Sequence, residues 1–113
     1  MFMNQKAVVQ EVLLTATAVA IYTAPSNTVT RLSCVTFSNQ DADARLVTVH
    51  LVRAGASATL NNRTVPPYTL GVNEAWSCPH LNHNLNPGDK LMAFADVTGK
   101  VSVYASVIEM SKA

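Results

Sequence analysis

The residue types best suited to chemistry in this chain cluster in Cys78-Pro79-His80-Leu81-Asn82-His83. Cys78, His80 and His83 are all metal-ligand types, and a zinc ion takes about four nitrogen, sulfur or oxygen ligands in a tetrahedron. Of the remaining cysteines and histidines only Cys34 or His50 could complete such a set, and sequence spacing puts neither beside the turn. The stretch therefore reads as a polar loop with a buried thiol, and neither a metal nor another cofactor is expected.

Other chemistries have less support. No Gly-x-Ser-x-Gly elbow and no glycine-rich phosphate loop occurs. The carboxylates are mostly solitary: Asp41 and Asp43 in a turn, Asp89 beside Pro87-Gly88, and Asp96 at a strand end, where backbone hydrogen bonding accounts for each. The chain is expected not to be an enzyme. Asn62-Arg63-Thr64 has the N-glycosylation pattern, which has meaning only in a secreted chain. Trp76, Tyr22, Tyr68 and Tyr104 could form a sugar-binding platform, but spread over four segments they read more simply as core and rim residues.

Composition narrows the function classes. The chain has 113 residues, 49% apolar and 13% charged, against roughly 25% charged in an average soluble protein. One domain with its own core is expected at this length. A folded monomer of this size exposes about 6,000 Å², so the charges are thinly spread, which predicts either a surface covered by partners or one of Thr, Ser and Asn. The basic residues Lys6, Arg31, Arg45, Arg53, Arg63, Lys90, Lys100 and Lys112 are scattered. Without a basic stripe, nucleic-acid binding is not expected. The N-terminus MFMNQKAVVQEVLL has no basic region ahead of an apolar core, and no apolar run is long enough to span a bilayer. Neither a signal peptide nor a membrane anchor is expected. Cys34 and Cys78 leave one disulfide open, but the reading preferred is two free, buried thiols of a protein made in a reducing compartment.

The elements that would position these residues are strands. VAIYT (19–23), VTRLSCVTFS (29–38), ARLVTVHLVR (44–53), NEAWSC (73–78), KLMAFAD (90–96) and VSVYASVIEM (101–110) are separated by turn-forming residues. In the last, Val101, Val103, Ala105 and Val107 alternate with Ser102, Tyr104, Ser106 and Ile108, the period of a half-buried strand. Residues 54–71 are looser, and Pro66-Pro67 excludes a central strand there. After the turn Asn86-Pro87-Gly88-Asp89, Leu91, Ala93 and Ala95 share one face while Met92 and Phe94 share the other. Both faces are apolar, so the second needs a cover. Residues 1–18 are expected as an N-terminal arm or edge strand and 19–113 as a single domain. The fold expected is all-β: an antiparallel β-sandwich, jelly-roll or immunoglobulin-like, of about seven or eight short strands.

Over residues 20–110 the order of the pieces resembles small all-β virion proteins of tailed bacteriophages. The stretches that carry the resemblance are AIYTAPSNTVTRLSCVTFSN, LVTVHLVRAG, LNPGDKLMAFAD and VSVYASVIEM. In that group a Tyr-Thr-x-Pro turn precedes the second strand, Leu-Val-Arg-x-Gly leads into a variable loop, and a Pro-Gly-Asp turn opens the penultimate strand. The resemblance implies a non-catalytic accessory protein of the head or tail, made in the host bacterial cytoplasm and resident in the virion.

The reading that follows is a capsid decoration or cement protein on the outer head surface, stabilising the shell as a dimer or trimer. Its partners would be the major capsid protein or other virion proteins. The expected contact residues are Val8, Val9, Val12, Leu13 and Leu14 in the arm, by strand addition. Asn61, Asn62, Arg63 and Tyr68 in the polar loop are added, with Met92 and Phe94 on the second face of LMAFA. The alternatives are a tail or baseplate accessory protein for host attachment, and a carbohydrate-binding β-sandwich module.

Overall fold

β-Branched residues recur along almost the whole chain, and the computed structural model, which describes residues 2–111 and, within the first strand, only the side chains of Met3, Gln5 and Leu13, is correspondingly built of strands. These are β1 (Phe2–Leu13), β2 (Val19–Thr23), β3 (Thr28–Asn39), β4 (Arg45–Val52), β5 (Arg63–Leu70), β6 (Ala75–Ser77), β7 (Asn84–Leu85), β8 (Lys90–Ala95) and β9 (Val101–Ser111). The chain is one long antiparallel hairpin with β4 and β5 at its tip. Along it β3 pairs with β6 and β7, β2 with β8, and β1 with β9. Rolling that hairpin up adds the pairs β3 with β9 and β4 with β8. The result is a jelly-roll sandwich with sheets ordered β1-β9-β3-β6, where β7 also pairs with β3, and β2-β8-β4-β5. Taking β6 and β7 as one interrupted strand, the roll has the eight strands of that architecture.

The two sheets bury each other's inner faces. Leu32, Val35 and Phe37 of β3 and Val101, Val103, Ala105 and Val107 of β9 meet Val47 and Val49 of β4 and Leu91, Ala93 and Ala95 of β8 in one apolar cluster. The alternation read in β9 thus points inward as its period requires, and it continues to Glu109, which is buried. β3 does not keep a single alternation. Its register to β9 shifts between Leu32 and Cys34, and Leu32 and Val35 both point inward, leaving Ser33 and Cys34 exposed. This bulge overturns the expectation that both thiols are buried: Cys34 and Cys78 are free, but Cys34 lies on the outer face. Within residues 54–71 a strand does form. β5 lies at a sheet edge, and Pro66 and Pro67 fall where its register to β4 slips, so no regular ladder hydrogen bond is lost there.

The Asn86–Asp89 turn is tied on three sides. Asp89 N–H donates to Asn86 O at 2.9 Å, Gly88 N–H to Ala24 O at 2.9 Å, and Ala24 N–H to Asp89 O at 2.9 Å. The Asp89 carboxylate accepts from the backbone N–H groups of Asn86 and Ala54. Gly88 has φ +87°, and a Cβ there would stand 2.8 Å from the Ala54 side chain.

Leu14 is a further anchor. Its N–H donates to Val101 O at 2.8 Å, its carbonyl accepts from Gly99 N–H at 3.0 Å, and its side chain is fully buried. Leu14 is therefore core and is withdrawn from the partner contacts expected in the arm.

Two stability measurements check this packing. Gly88→Ala should cost about 1–2 kcal/mol for the left-handed backbone alone, with more from the clash at Ala54, read as a lowered midpoint in urea. Leu14→Ala should cost about 2–5 kcal/mol; a loss under about 0.5 kcal/mol, the range of a surface site, would show that Leu14 is not core.

Candidate interaction surfaces

The sandwich has two open edges, along which most of the expected contact residues lie, while Met92 and Phe94 are on the interior strand β8. At one edge β1 lies beside β2, and among the described residues β1 pairs only with β9. Pairing is regular from Phe2 to Ala7 and then slips between Ala7 and Val9 and between Val9 and Val12. Bulges of this kind bend a strand and interrupt its ladder, so the regular backbone edge is its first half. Val8, Val9 and Val12 fall in the irregular half, and their side chains lie outside the described residues. Met3 and Leu13 are exposed.

The same edge is tied across the sheets by Tyr22. The register of β2 to β8 slips between Ala20 and Tyr22, and this turns Ile21 and Tyr22 both toward the core. The Tyr22 hydroxyl then donates to Glu109 Oε2 on β9 and lies 2.9 Å from Thr30 Oγ1 on β3. Burial, followed by the hydrogen bond to Glu109, pushes the Tyr22 pKa up to about 12. The sequence reading missed this pair, although the alternation of β9 extended by one step already places Glu109 inward.

At the opposite edge β5 and β6 meet through aromatic rings. Tyr68 and Trp76 stack with centroids 3.8 Å apart and an 11° interplanar angle, and Trp76 packs on Phe37 at 6.3 Å. Tyr68 is partly exposed on the rim. The four aromatics proposed as a sugar platform do not share a face: Tyr22 points inward, Tyr104 is exposed on the outer face of the β9 sheet, and Tyr68 and Trp76 cover each other.

The polar loop folds back on the outer face of β4. A short 3-10 turn over Leu60–Asn62 presents Asn62, whose Oδ1 lies 2.8 Å from His50 Nδ1 and accepts from Thr59 N–H at 2.9 Å. Since Oδ1 only accepts, His50 carries its proton on Nδ1 and donates. Asn62 Nδ2 donates to Ser57 O at 2.8 Å. All these bonds hold the loop to its own chain, so Asn62 has a structural role. His50 in turn stacks on Phe94 at 6.2 Å and pairs across the strand with Met92, and both apolar residues are half-buried. Part of the cover for the second face of LMAFA is thus the chain's own loop, acting through His50. Asn61 is exposed, and Arg63 is half-buried beside it.

The remaining candidates stay apart. Cys78 is buried, its N–H donates to Val35 O at 2.9 Å, and burial pushes its thiol pKa up, opposed by a hydrogen bond from the His80 backbone. That is the opposite of an activated nucleophile. His80 and His83 are exposed, and among the described residues no three His, Cys, Asp or Glu side chains gather as metal ligands. The carboxylates are less solitary than their spacing suggests: Arg45 meets Asp41 at 2.6 Å and approaches Asp43 and Asp96 at 3.7 Å. Arg45 first, then the Ala42 N–H, holds the Asp41 carboxyl below its usual pKa.

No family model matches the sequence, and no curated protein sequence matches it. The fold is similar to a chain from the Bacillus endospore appendages, a family of disulfide-linked pili, with a TM-score of 0.58 and 15% identity over 98% of this chain and 89% of that one. It is also similar to a chain from infectious bursal disease virus, Gx strain, with a TM-score of 0.54 and 9% identity over 96% of this chain. The match spans 31% of the viral chain. At these identities the likeness is one of fold.

Two outcomes test the ties described. The neutral Tyr22 favours the folded state, because its pKa of about 12 exceeds the roughly 10 of an unfolded tyrosine. Its stabilisation is complete below about pH 10 and is lost as pH rises toward 12. Wild type should lose more stability than Tyr22→Phe over that range, and the wild-type minus variant tyrosinate absorbance should have its midpoint near 12. Asn62→Ala leaves the buried His50 N–H without its acceptor and should cost about 1–3 kcal/mol. Equal thermal midpoints for Asn62→Ala and wild type would remove the loop anchor.

Proposed function

We propose that this chain is a structural subunit of a multicopy protein assembly, joined to its neighbours by strand addition at β1. The observation that carries the reading is the edge of β1, twelve residues long and paired on one side only among the described residues. An unpaired edge offers backbone N–H and C=O groups to a neighbouring strand. The regular stretch from Phe2 to Ala7 is the part best shaped to receive one. The fold likeness to a chain from pili and to a chain from a virus supports a role in built structures.

The finer reading is a bacteriophage virion protein, a decoration or cement protein bound to the outer head as a dimer or trimer. It would meet the major capsid protein through β1, including Val8, Val9, Val12 and Leu13, and through Asn61, Arg63 and Tyr68. A second reading is favoured by the placement of these groups on opposite edges of the sandwich. Two unlike surfaces on opposite sides suit head-to-tail contacts, which build rings or filaments, as a tail or baseplate component would need.

The test is incubation of the purified protein with empty, expanded phage heads stripped of accessory proteins, followed by electron microscopy and sedimentation. Saturable density at symmetry axes of the shell supports decoration. Self-association without head binding moves the reading to a tail filament. A variant lacking residues 1–7 keeps Leu14 and the bulged half of β1, and it should stay folded by circular dichroism while losing both kinds of association. Full association by that variant would sink strand addition.

A further inference from the structure

At the tip of the rolled hairpin an open cleft of about 590 Å³ is lined by Arg53, Arg63, His83, Asn61, Asn84 and Thr64, among others, and no carboxylate is part of its lining. Arg53 lies just beyond β4, Arg63 begins β5, and Asn84 is on β7, where it pairs with Arg31. The His83 carbonyl is fixed by Leu32 N–H at 3.0 Å, and the loop wall is pinned by Asn62 to His50, Ser57 and Thr59. The walls are thus anchored before any ligand arrives.

The electrostatics are one-sided. Among the described residues neither Arg53 nor Arg63 forms an ion pair, whereas Arg45 meets three carboxylates. Asp89, which reaches the tip turn at Ala54 beside Arg53, has its carboxylate engaged by the N–H groups of Ala54 and Asn86. Arg63 Nε is buried with no acceptor. A buried donor without a partner is costly, so an acceptor that draws the fork toward the cleft would relieve it. A guanidinium presents Nε and Nη as a parallel pair of donors that matches a carboxylate or phosphate.

We propose that this cleft binds an oxyanion, carboxylate or phosphate, carried by a small polar ligand. Arg63 holds the oxyanion by its fork, Arg53 adds a second charge, and Asn61, Thr64 and Asn84 face the neutral polar part. This site does not rest on the β1 edge that carries the assembly reading, and it shares only Asn61 and Arg63 with that reading's second contact surface.

The test is a titration of the full chain with inorganic phosphate and, separately, with glucuronate, followed through the arginine Nε–H resonances in ¹H–¹⁵N spectra. Sodium chloride at matched ionic strength is the control. A saturable shift of the Arg63 signal with either probe, absent with chloride, is the expected result. A response to phosphate alone assigns a phosphate ligand, and one to glucuronate alone assigns a carboxylate. Arg63→Gln should weaken binding at least tenfold, and Arg63→Lys, which keeps the charge without the fork, should also bind more weakly than wild type. Arg53→Gln, at an exposed position, should weaken binding without changing the fold, and decides the matter if Arg63→Gln does not fold. No saturable shift with either probe, an equal shift with chloride, or wild-type affinity in folded Arg53→Gln and Arg63→Gln would each overturn the site.

Discussion

Everything in this molecule depends on two sheets covering one another's inner faces. With so little charge and so many β-branched residues, the chain can bury its apolar surface only by folding the strands over themselves, and the rolled hairpin does this with every long pairing antiparallel. Because the roll pairs the first strand with the last, β1 forms one sheet edge with β9 just inside it, and the hairpin tip lies toward the other edge. The location of every candidate surface follows from that path.

The edges are closed by different physics. At one, Tyr22 crosses the core to Glu109 and Thr30, a buried polar tie that works only because each group finds a partner. At the other, Tyr68 and Trp76 close the gap by stacking, which needs no polar partner. The outer faces also differ. On the β3–β9 sheet Ser33, Thr36, Ser102 and Ser106 face outward beside Cys34, so the sparse charge is met there largely by hydroxyl-bearing residues. The outer face of the β4–β8 sheet carries His50, Met92 and Phe94 and is shielded in part by the chain's own loop.

Bulges decide what is presented. The slip in β3 turns Cys34 out, the slip in β2 turns Tyr22 in, and the slips in β1 confine its regular edge to the first half. Each is a single change of parity with a large consequence, because the side-chain period of a strand is two. The functional reading therefore rests less on which residues are present than on where the ladder loses step.

The sequence alone determined the all-β sandwich, the inward series of β9 from Val101 to Val107, the Asn86–Asp89 turn and the exclusion of a central strand at Pro66-Pro67. These follow from local rules of period and turn chemistry that need no partner strand. Only the tertiary structure decided that Leu14 is core, that Cys34 is exposed, that Glu109 is held by Tyr22, and that Arg53, Arg63 and His83 line one cleft. The reason is physical. Bulges and long-range pairings depend on which strand lies opposite, and residues as distant as Tyr22 and Glu109 meet only after the hairpin has rolled up.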